Sequence, residues 1–501
     1  MQSGTRLAAV DLGSNSFRLE IARLEQGQIQ RMEYHKETVR QGNGLDADRR
    51  LSQDAMQRGW NCLARFGERL AGFEPGQVRA VATQTLREAR NRDEFLAVAR
   101  QILGFPIDVI SGREEARLIY QGVTHLLPQS DERRLVMDIG GRSTELIVGQ
   151  GYTAQAMESY RVGSVAWSMR HFADGVLSAR NFERAEIAAK AVLDDAVATH
   201  ARAHLDAAYG SSGTVGAVAD ALRLAGRAAH DGAITRDGLD WLRERLVKAQ
   251  RFEAIRLDGI KEERKAVIAG GLAVLRALFD LLGIERLRHA HGALRHGALV
   301  DLLDREREVT DVRASSVEHL AARFGADAQQ AGRVARSALR LGHELLAPLA
   351  PAERQEAERQ IAWAARLHEV GSRISHADYH KHGAYILDNA DVPGFAMHEL
   401  HTLSQLVLGH RGKLRKLESR FGDALFMRQL MALRLAVILC HARQDPRQED
   451  IRLAIDPGPA HGFALSVSGG WMAAWPQSAH LLREEVLAWQ KTPWGLRLSV
   501  R

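Results

Sequence analysis

The sequence predicts an α/β protein with a duplicated N-terminal half, an all-helical domain behind it and a small α+β domain at the C-terminus. Three observations predict this. A strand–Asp–Gly-turn–strand pattern occurs twice in the first three hundred residues. Residues from about 315 to 445 carry helical periodicity with few strand signals, and the last fifty residues return to strand alternation.

In the first copy, Leu7-Ala8-Ala9-Val10 reads as a short buried strand ending at Asp11. The turn Leu12 to Ser16 follows, and Phe17, Leu19 and Ile21 then alternate with Arg18 and Glu20 as a half-exposed strand. In the second copy, Leu135-Val136-Met137 leads to Asp138, the turn Ile139 to Thr144, and the strand Glu145 to Val148. Asp11 aligns with Asp138, Gly13 with Gly140 and Ser16 with Ser143. Either turn alone is ordinary hairpin chemistry. The pair points to a duplicated phosphate loop. Glycine lets backbone N–H groups approach phosphate oxygens, and Ser14, Asn15, Ser143 and Thr144 add side-chain donors. An Asp beside such a turn offers the hard oxygen that Mg²⁺ prefers.

A third small-residue turn, Gly210 to Thr214, opens a helical stretch from Val215 to Leu224. Such a turn is either an anion site or a plain strand-to-helix connection. Ser111-Gly112-Arg113-Glu114-Glu115 begins another helix, in which Ser111 and Glu114 have capping-box spacing. That occupies Glu114 and leaves Glu115 free to orient or deprotonate a water. On spacing alone, Glu115 also fits a solvated first-turn acid. Upstream, a short strand from Val78 to Val81 precedes Thr83 to Arg87, and Arg87 is suited either to phosphate oxygens or to a surface position.

These segments, in this order, resemble the exopolyphosphatase / guanosine pentaphosphate phosphohydrolase family, in particular its long, four-domain bacterial exopolyphosphatases. Ser-Gly-x-Glu-Glu-Ala-Arg-Leu-Ile-Tyr at 111–120 is the most specific motif. The resemblance implies two actin-like (ribonuclease H-like) lobes over 1–124 and 125–305, an HD-like helical domain over 312–445 and a small α+β domain over 446–501. It implies that Glu115 positions the attacking water, and that Asp138 and Glu145 act at the metal and water. By the same resemblance Asp11 would complete the Mg²⁺ site, and Ser14, Asn15, Arg87, Gly140, Gly141, Ser143, Thr144 and Gly213 would contact phosphate. Two positions depart from the family pattern. Arg142 stands where a small residue is usual, and either adds a phosphate contact or narrows the site. His291 and His296 stand where acids are usual, so no role of those acids transfers.

Behind a charged stretch from Arg305 to Arg313, read as a linker, seven of the 21 histidines fall between His368 and His410. A metal-dependent HD site needs a His-Asp pair, whereas this chain has His368-Glu369, so the domain reads as one that kept the fold and lost the metal. Arg411, Lys413, Arg415 and Lys416 form a basic run, either a solvated helix face or a track for a phosphate chain. No interleaved aromatics suggest nucleic-acid stacking. In the last fifty residues a helix from about Gln477 to Gln490 sits within a strand meander.

The bulk properties agree with a folded, non-membrane protein. Of 501 residues, 45% are hydrophobic and 26% charged, and the net charge of +6 suits a polyanionic ligand. The best apolar stretch, Ala266 to Gly283, is broken by Arg276 and Asp280, and the N-terminus carries no secretory signal. Cys62 and Cys440, the only cysteines, exclude a disulfide framework and a cysteine zinc site. The expectation is a cytoplasmic homodimer, at most peripheral to the inner membrane. It would be an exopolyphosphatase releasing orthophosphate from inorganic polyphosphate, with guanosine pentaphosphate 5′-phosphohydrolase as the alternative. A sugar or acetate kinase lacks a use for Glu115, and a non-catalytic polyphosphate or nucleotide sensor is the more distant reading.

Overall fold

Apolar residues on both faces of Leu7–Val10 make a strand that sits inside a sheet rather than at its edge. The computed structural model describes residues 1–200, 205–305, 310–447, 450–456 and 462–501. The chain divides into two compact units, Met1–Asp311 and Val312–Arg501.

The first unit contains two sheets. One has the order β3-β2-β1-β4-β5, from β1 (Arg6–Leu12), β2 (Phe17–Glu25), β3 (Gln28–Glu37), β4 (Val78–Ala82) and β5 (Ile107–Val109). The other has the order β10-β11-β9-β6-β7-β8, from β6 (Arg133–Ile139), β7 (Thr144–Gln150), β8 (Thr153–Tyr160), β9 (Ala207–Ser211), β10 (Ile234–Thr235) and β11 (Arg286–His289). The duplication is visible in the pairing. β1, β2 and β3 are antiparallel neighbours with β4 parallel to β1. In the same way β6, β7 and β8 are antiparallel neighbours with β9 parallel to β6. Both sheets are mixed, in agreement with the actin-like reading. Helices Glu262–Leu282 and Leu294–Arg305 return the chain across these sheets, and Arg276 within the first is buried against Glu186 and Asp240.

β2 differs from its expected half-exposed character. Glu20 is buried and Arg18 partly so, because the face that alternation assigns to solvent is covered by helix Leu294–Arg305 and by the other turn. The expected linker is also shorter. Residues 306–309 lie outside the described set, and Arg313 is buried in helix Val312–Arg323 with Glu356 and Glu399.

The second unit is helical up to Leu439, with Asp327 and Asp423 capping the helices Ala328–Leu346 and Ala424–Leu439. His368 and His410 are buried because each Nδ1 meets a backbone carbonyl at 2.6 Å, of Ala365 and Val407. Among the described residues no three His, Cys, Asp or Glu side chains converge on a metal-sized site. The basic run lies on a turn and the start of the 3-10 segment Leu414–Arg420, with Arg411 and Lys413 before it, rather than on a long helix face. Lys416 turns back to the Arg411 carbonyl, and Arg411 stacks on Tyr379. The terminal sheet, β12 (Ile451–Ile455), β13 (Gly462–Val467) and β14 (Gly495–Val500), is not a meander. β13 and β14 are parallel, because helices Gly469–Ala474 and Pro476–Trp489 form the crossover that parallel pairing requires. Its inner residues join the same apolar cluster as the helices, and a buried Arg434–Glu485 fork ties the two together.

Candidate functional site

The two Asp–Gly turns differ in charge. In the first hairpin Asp11 stands opposite Arg18, and the guanidinium donates to Asp11 Oδ2 at 2.9 Å. In the second, Asp138 stands opposite Glu145. Directly opposed residues of an antiparallel pair point to one face, so two acids meet where the first copy has an ion pair. Glu145 is 1% exposed and accepts from the Ser159 hydroxyl at 2.7 Å.

Glu115 reaches this group from helix Gly112–Thr124. Ser111 caps the helix by accepting from the Glu114 N–H at 3.2 Å, as its spacing predicts. The Glu114 carboxylate takes both arms of Arg117, each at 2.8 Å. Arg117 in turn donates to Asp301 on helix Leu294–Arg305. Burial alone would raise the Asp301 carboxyl, but Arg305, Arg117 and Arg79 hold it well below the usual carboxylate range. This buried network fixes the helix. Gly112 lets its first turn approach β8, since a Cβ there would lie 2.5 Å from Ser159 Cβ. The sequence suggests a free Glu115, and the structure shows it held. Arg87 Nη1 donates to Glu115 Oε2 at 2.8 Å and to the Ile110 carbonyl at 2.9 Å, while Gln84 accepts from Arg87 Nε. An arginine positioned to hold an anion holds the candidate base instead.

Asp11, Gly13, Glu115, Asp138 and Gly140 line one cleft of about 280 Å³, together with Ser211 and Ser212 of the third turn. The other expected contacts are arranged around it. Ser14 accepts from the Thr85 hydroxyl at 2.8 Å, Asn15 lies beside Ser16, and Gly141 packs against Ser14, so the two turns touch. The Ser143 carbonyl closes the second turn on the Gly140 N–H. Thr144 is fully buried and donates its hydroxyl to the Val162 carbonyl, which leaves its side chain no phosphate contact. Arg142 does not enter the cleft. It ties the second turn to the segments that follow β3 and β4, donating to the Gly42 carbonyl at 3.2 Å and to Glu88 at 3.1 Å. Gly213 makes room for Arg264, whose guanidinium would overlap any Cβ at that position.

Three arginines of the cleft escaped the sequence reading: Arg18, Arg264 and Arg295. Arg18 looked like the outer face of a strand, and its place opposite Asp11 was the available signal. Arg264 is remote in sequence from every turn. It has no side-chain hydrogen bond or ion pair among the described residues, and burial together with nearby Arg18 lowers its pKa. His289 and His291 complete that wall, with ring centroids 5.1 Å apart.

The acids carry an electrostatic load. Burial pushes the Glu115 carboxyl up to about 7, against Arg87 and with Asp11 and Asp138. Burial, then Glu115 and Asp138, raise Glu145 well above the usual range, and burial raises Asp138. No three of these acids form a closed metal cage among the described residues. Mg²⁺ does not need one, since it takes one or two carboxylates and completes its shell with water and phosphate oxygens. The poorly neutralised oxygens of Asp138 and Glu145 fit that demand.

The profile described as "Ppx/GppA phosphatase family" matches residues 20–306, and "Ppx/GppA phosphatase, domain III" matches residues 312–486. A Vibrio atlanticus protein named guanosine-5′-triphosphate,3′-diphosphate pyrophosphatase is 38% identical over 498 residues, covering 98% of both chains. A crystal structure of an exopolyphosphatase-like protein matches 60% of this chain and 98% of its own, with 25% identity and TM-score 0.54. The Aquifex aeolicus PPX-GPPA enzyme shares the fold over 59% of this chain and 99% of its own, with 24% identity and TM-score 0.50.

Proposed function

The chain belongs to the Ppx/GppA phosphatase family, and on that footing we propose that it removes the 5′-terminal phosphate of guanosine 5′-triphosphate 3′-diphosphate by Mg²⁺-dependent hydrolysis. The observation that carries the reading is Glu115. It is a buried carboxyl tuned to about 7 by burial, held by Arg87 and lining the same cleft as both Asp–Gly turns. A carboxylate near neutral pKa is matched to orienting and deprotonating water at physiological pH. A kinase would have no use for it.

In this reading Glu115 aligns a water with the scissile phosphorus. The amides around Gly13 and Gly140 receive the phosphate oxygens, and Arg87 holds Glu115 in place. Asp138 and Glu145, with Asp11, would hold Mg²⁺, which when bound neutralises phosphate oxygens. The nucleotide comes ahead of polyphosphate, reversing the order expected from sequence. The relatives similar over the full length carry the nucleotide name, whereas the solved exopolyphosphatase-like relative matches 60% of the chain. Polyphosphate remains the second reading, supported by that relative and by the three arginines of the cleft. The helical part is read as an HD-like domain without metal chemistry of its own, in a homodimer that light scattering of the full chain would test.

Steady-state kcat/KM for guanosine pentaphosphate and for long polyphosphate, with and without Mg²⁺, decides the substrate. A tenfold or greater preference for the polymer would restore the earlier order. Absence of Mg²⁺-dependent phosphate release from both would favour the sensor.

A further inference from the structure

A cavity of about 380 Å³, larger than the cleft, lies elsewhere in the first unit. It is bounded by the end of helix Ser212–Leu224, by helix Arg236–Ala249 and by the segment from Ala254 to Asp258. It shares no lining residue with the cleft. Helix Ser212–Leu224 begins at the cleft and ends at this cavity, so its 13 residues, about 20 Å of helix, separate the two. The hydrolytic site makes no use of it.

Its walls are held by packing and hydrogen bonds. Gly259, at φ +88°, brings the segment so close to helix Ser212–Leu224 that a Cβ would lie 2.6 Å from the Ala221 nitrogen. Arg256 Nη1 donates to the Glu253 carbonyl at 2.6 Å and to the Ile255 carbonyl at 3.0 Å, and Ile255 is fully buried. From helix Arg236–Ala249, the guanidinium of Arg245 lies 5.4 Å from the centre of the Trp241 ring. A guanidinium stacked on an aromatic face keeps its in-plane N–H donors for an anion.

The cations of that helix are divided. Arg236 and Arg243 pair with Asp240 and Glu186. Arg245 and Lys248, which line the cavity with Arg256, make no ion pair among the described residues, and neither does Arg256. Asp258 is the one acid of the lining, so three cations against one carboxylate leave two positive charges in excess. A phosphate monoester carries about two negative charges near neutral pH. The rest of the lining is mostly apolar and includes four alanines, whose small side chains leave room for a flat ring. The volume falls within the roughly 300–1,000 Å³ of small-ligand sites.

We propose that this cavity is a second ligand site, for a phosphate monoester with a planar, largely apolar body, of which a nucleoside monophosphate is the simplest type. Arg245, Lys248 and Arg256 receive the phosphate, and the alanine-lined wall receives the body.

Calorimetric titration of the full chain at low ionic strength tests this with adenosine monophosphate, adenosine and orthophosphate as probes. It needs no turnover, so its result stands apart from the hydrolase reading. Adenosine monophosphate should bind, with adenosine and orthophosphate each weaker by about tenfold or more. Arg245→Gln should weaken the monophosphate roughly 10- to 100-fold, the value of one charged hydrogen-bonded pair, and Lys248→Gln should weaken it in the same direction. Arg264→Gln, which changes the cleft, should leave it within about twofold. The proposal is overturned by wild-type protein that binds the monophosphate more weakly than about 1 mM. It is equally overturned by orthophosphate or adenosine binding as tightly as the monophosphate, or by Arg264→Gln weakening it as much as Arg245→Gln does.

Discussion

Glu145 faces Asp138 across the β6–β7 pair, acid against acid, at the position where Arg18 faces Asp11 across β1 and β2. Duplication supplied two equal hairpins, and one opposed residue makes them unequal. The first neutralises its aspartate internally. The second leaves two buried acids whose repulsion a divalent cation would relieve.

Glu145→Gln is therefore predicted to stabilise the metal-free protein while abolishing phosphate release. The Glu145 carboxyl is raised in the fold, so the folded chain holds more protons than the unfolded one between the ordinary carboxylate range and the raised value. Stability then falls as pH rises through that window and stays low above it. Denaturant unfolding in EDTA at pH 8 should give a gain of roughly 1–3 kcal/mol for the variant. The gain should shrink towards pH 5. A variant less stable than wild type at pH 8 would refute this account of the acids.

Mg²⁺ should raise the melting temperature of wild type in proportion to occupancy, by mass action on the folded state. In Asp138→Asn and Glu145→Gln the increase should be largely lost. An unchanged increase in both variants would move the metal elsewhere.

Glu115→Gln keeps the shape of the side chain and its contact with Arg87 but cannot take a proton. It should lower kcat by roughly 10²- to 10⁴-fold with KM within a few-fold of wild type. Near-normal turnover would remove Glu115 from the reaction.

Gly112→Ala tests how the helix is seated. The added methyl meets Ser159, so either the helix start or β8 must shift, at a cost of about 1–3 kcal/mol. Because Glu115 follows within the first turn, kcat should fall with stability. Gly112→Ala combined with Ser159→Gly, which relieves the clash but also removes the hydroxyl from Glu145, should recover stability more than turnover. Full recovery of both would show that Ser159 does not matter to Glu145.

In the second unit, Glu485→Gln breaks the buried Arg434 fork and leaves the guanidinium poorly paired. Chemical denaturation should show a loss of about 3–5 kcal/mol in that unit.

Local chemistry explains what was legible in the sequence. Asp11, Asp138 and the capped start at Ser111 are written in contiguous residues, so the turns and the helix could be read directly. Arg18, Arg264 and Arg295 gain meaning only when distant segments close a cleft, and an arginine at a strand or helix start looks like solvent-facing charge until then. The same holds for Glu115. Spacing separated it from Glu114, but only the fold shows Arg87 against it. The parallel β13–β14 pair was missed because alternation reveals strands and not their direction.

Arg142 sits on the second Asp–Gly turn, while Gly42 and Glu88, which receive its two hydrogen bonds, follow β3 and β4 of the first sheet. Any parting of the two sheets has to break both bonds together. Each is worth on the order of 1 kcal/mol, so the tie is reversible on the timescale of a turnover. A single residue that departs from the family pattern thereby fastens the second turn to two loops of the other sheet, so that neither contact can be lost alone.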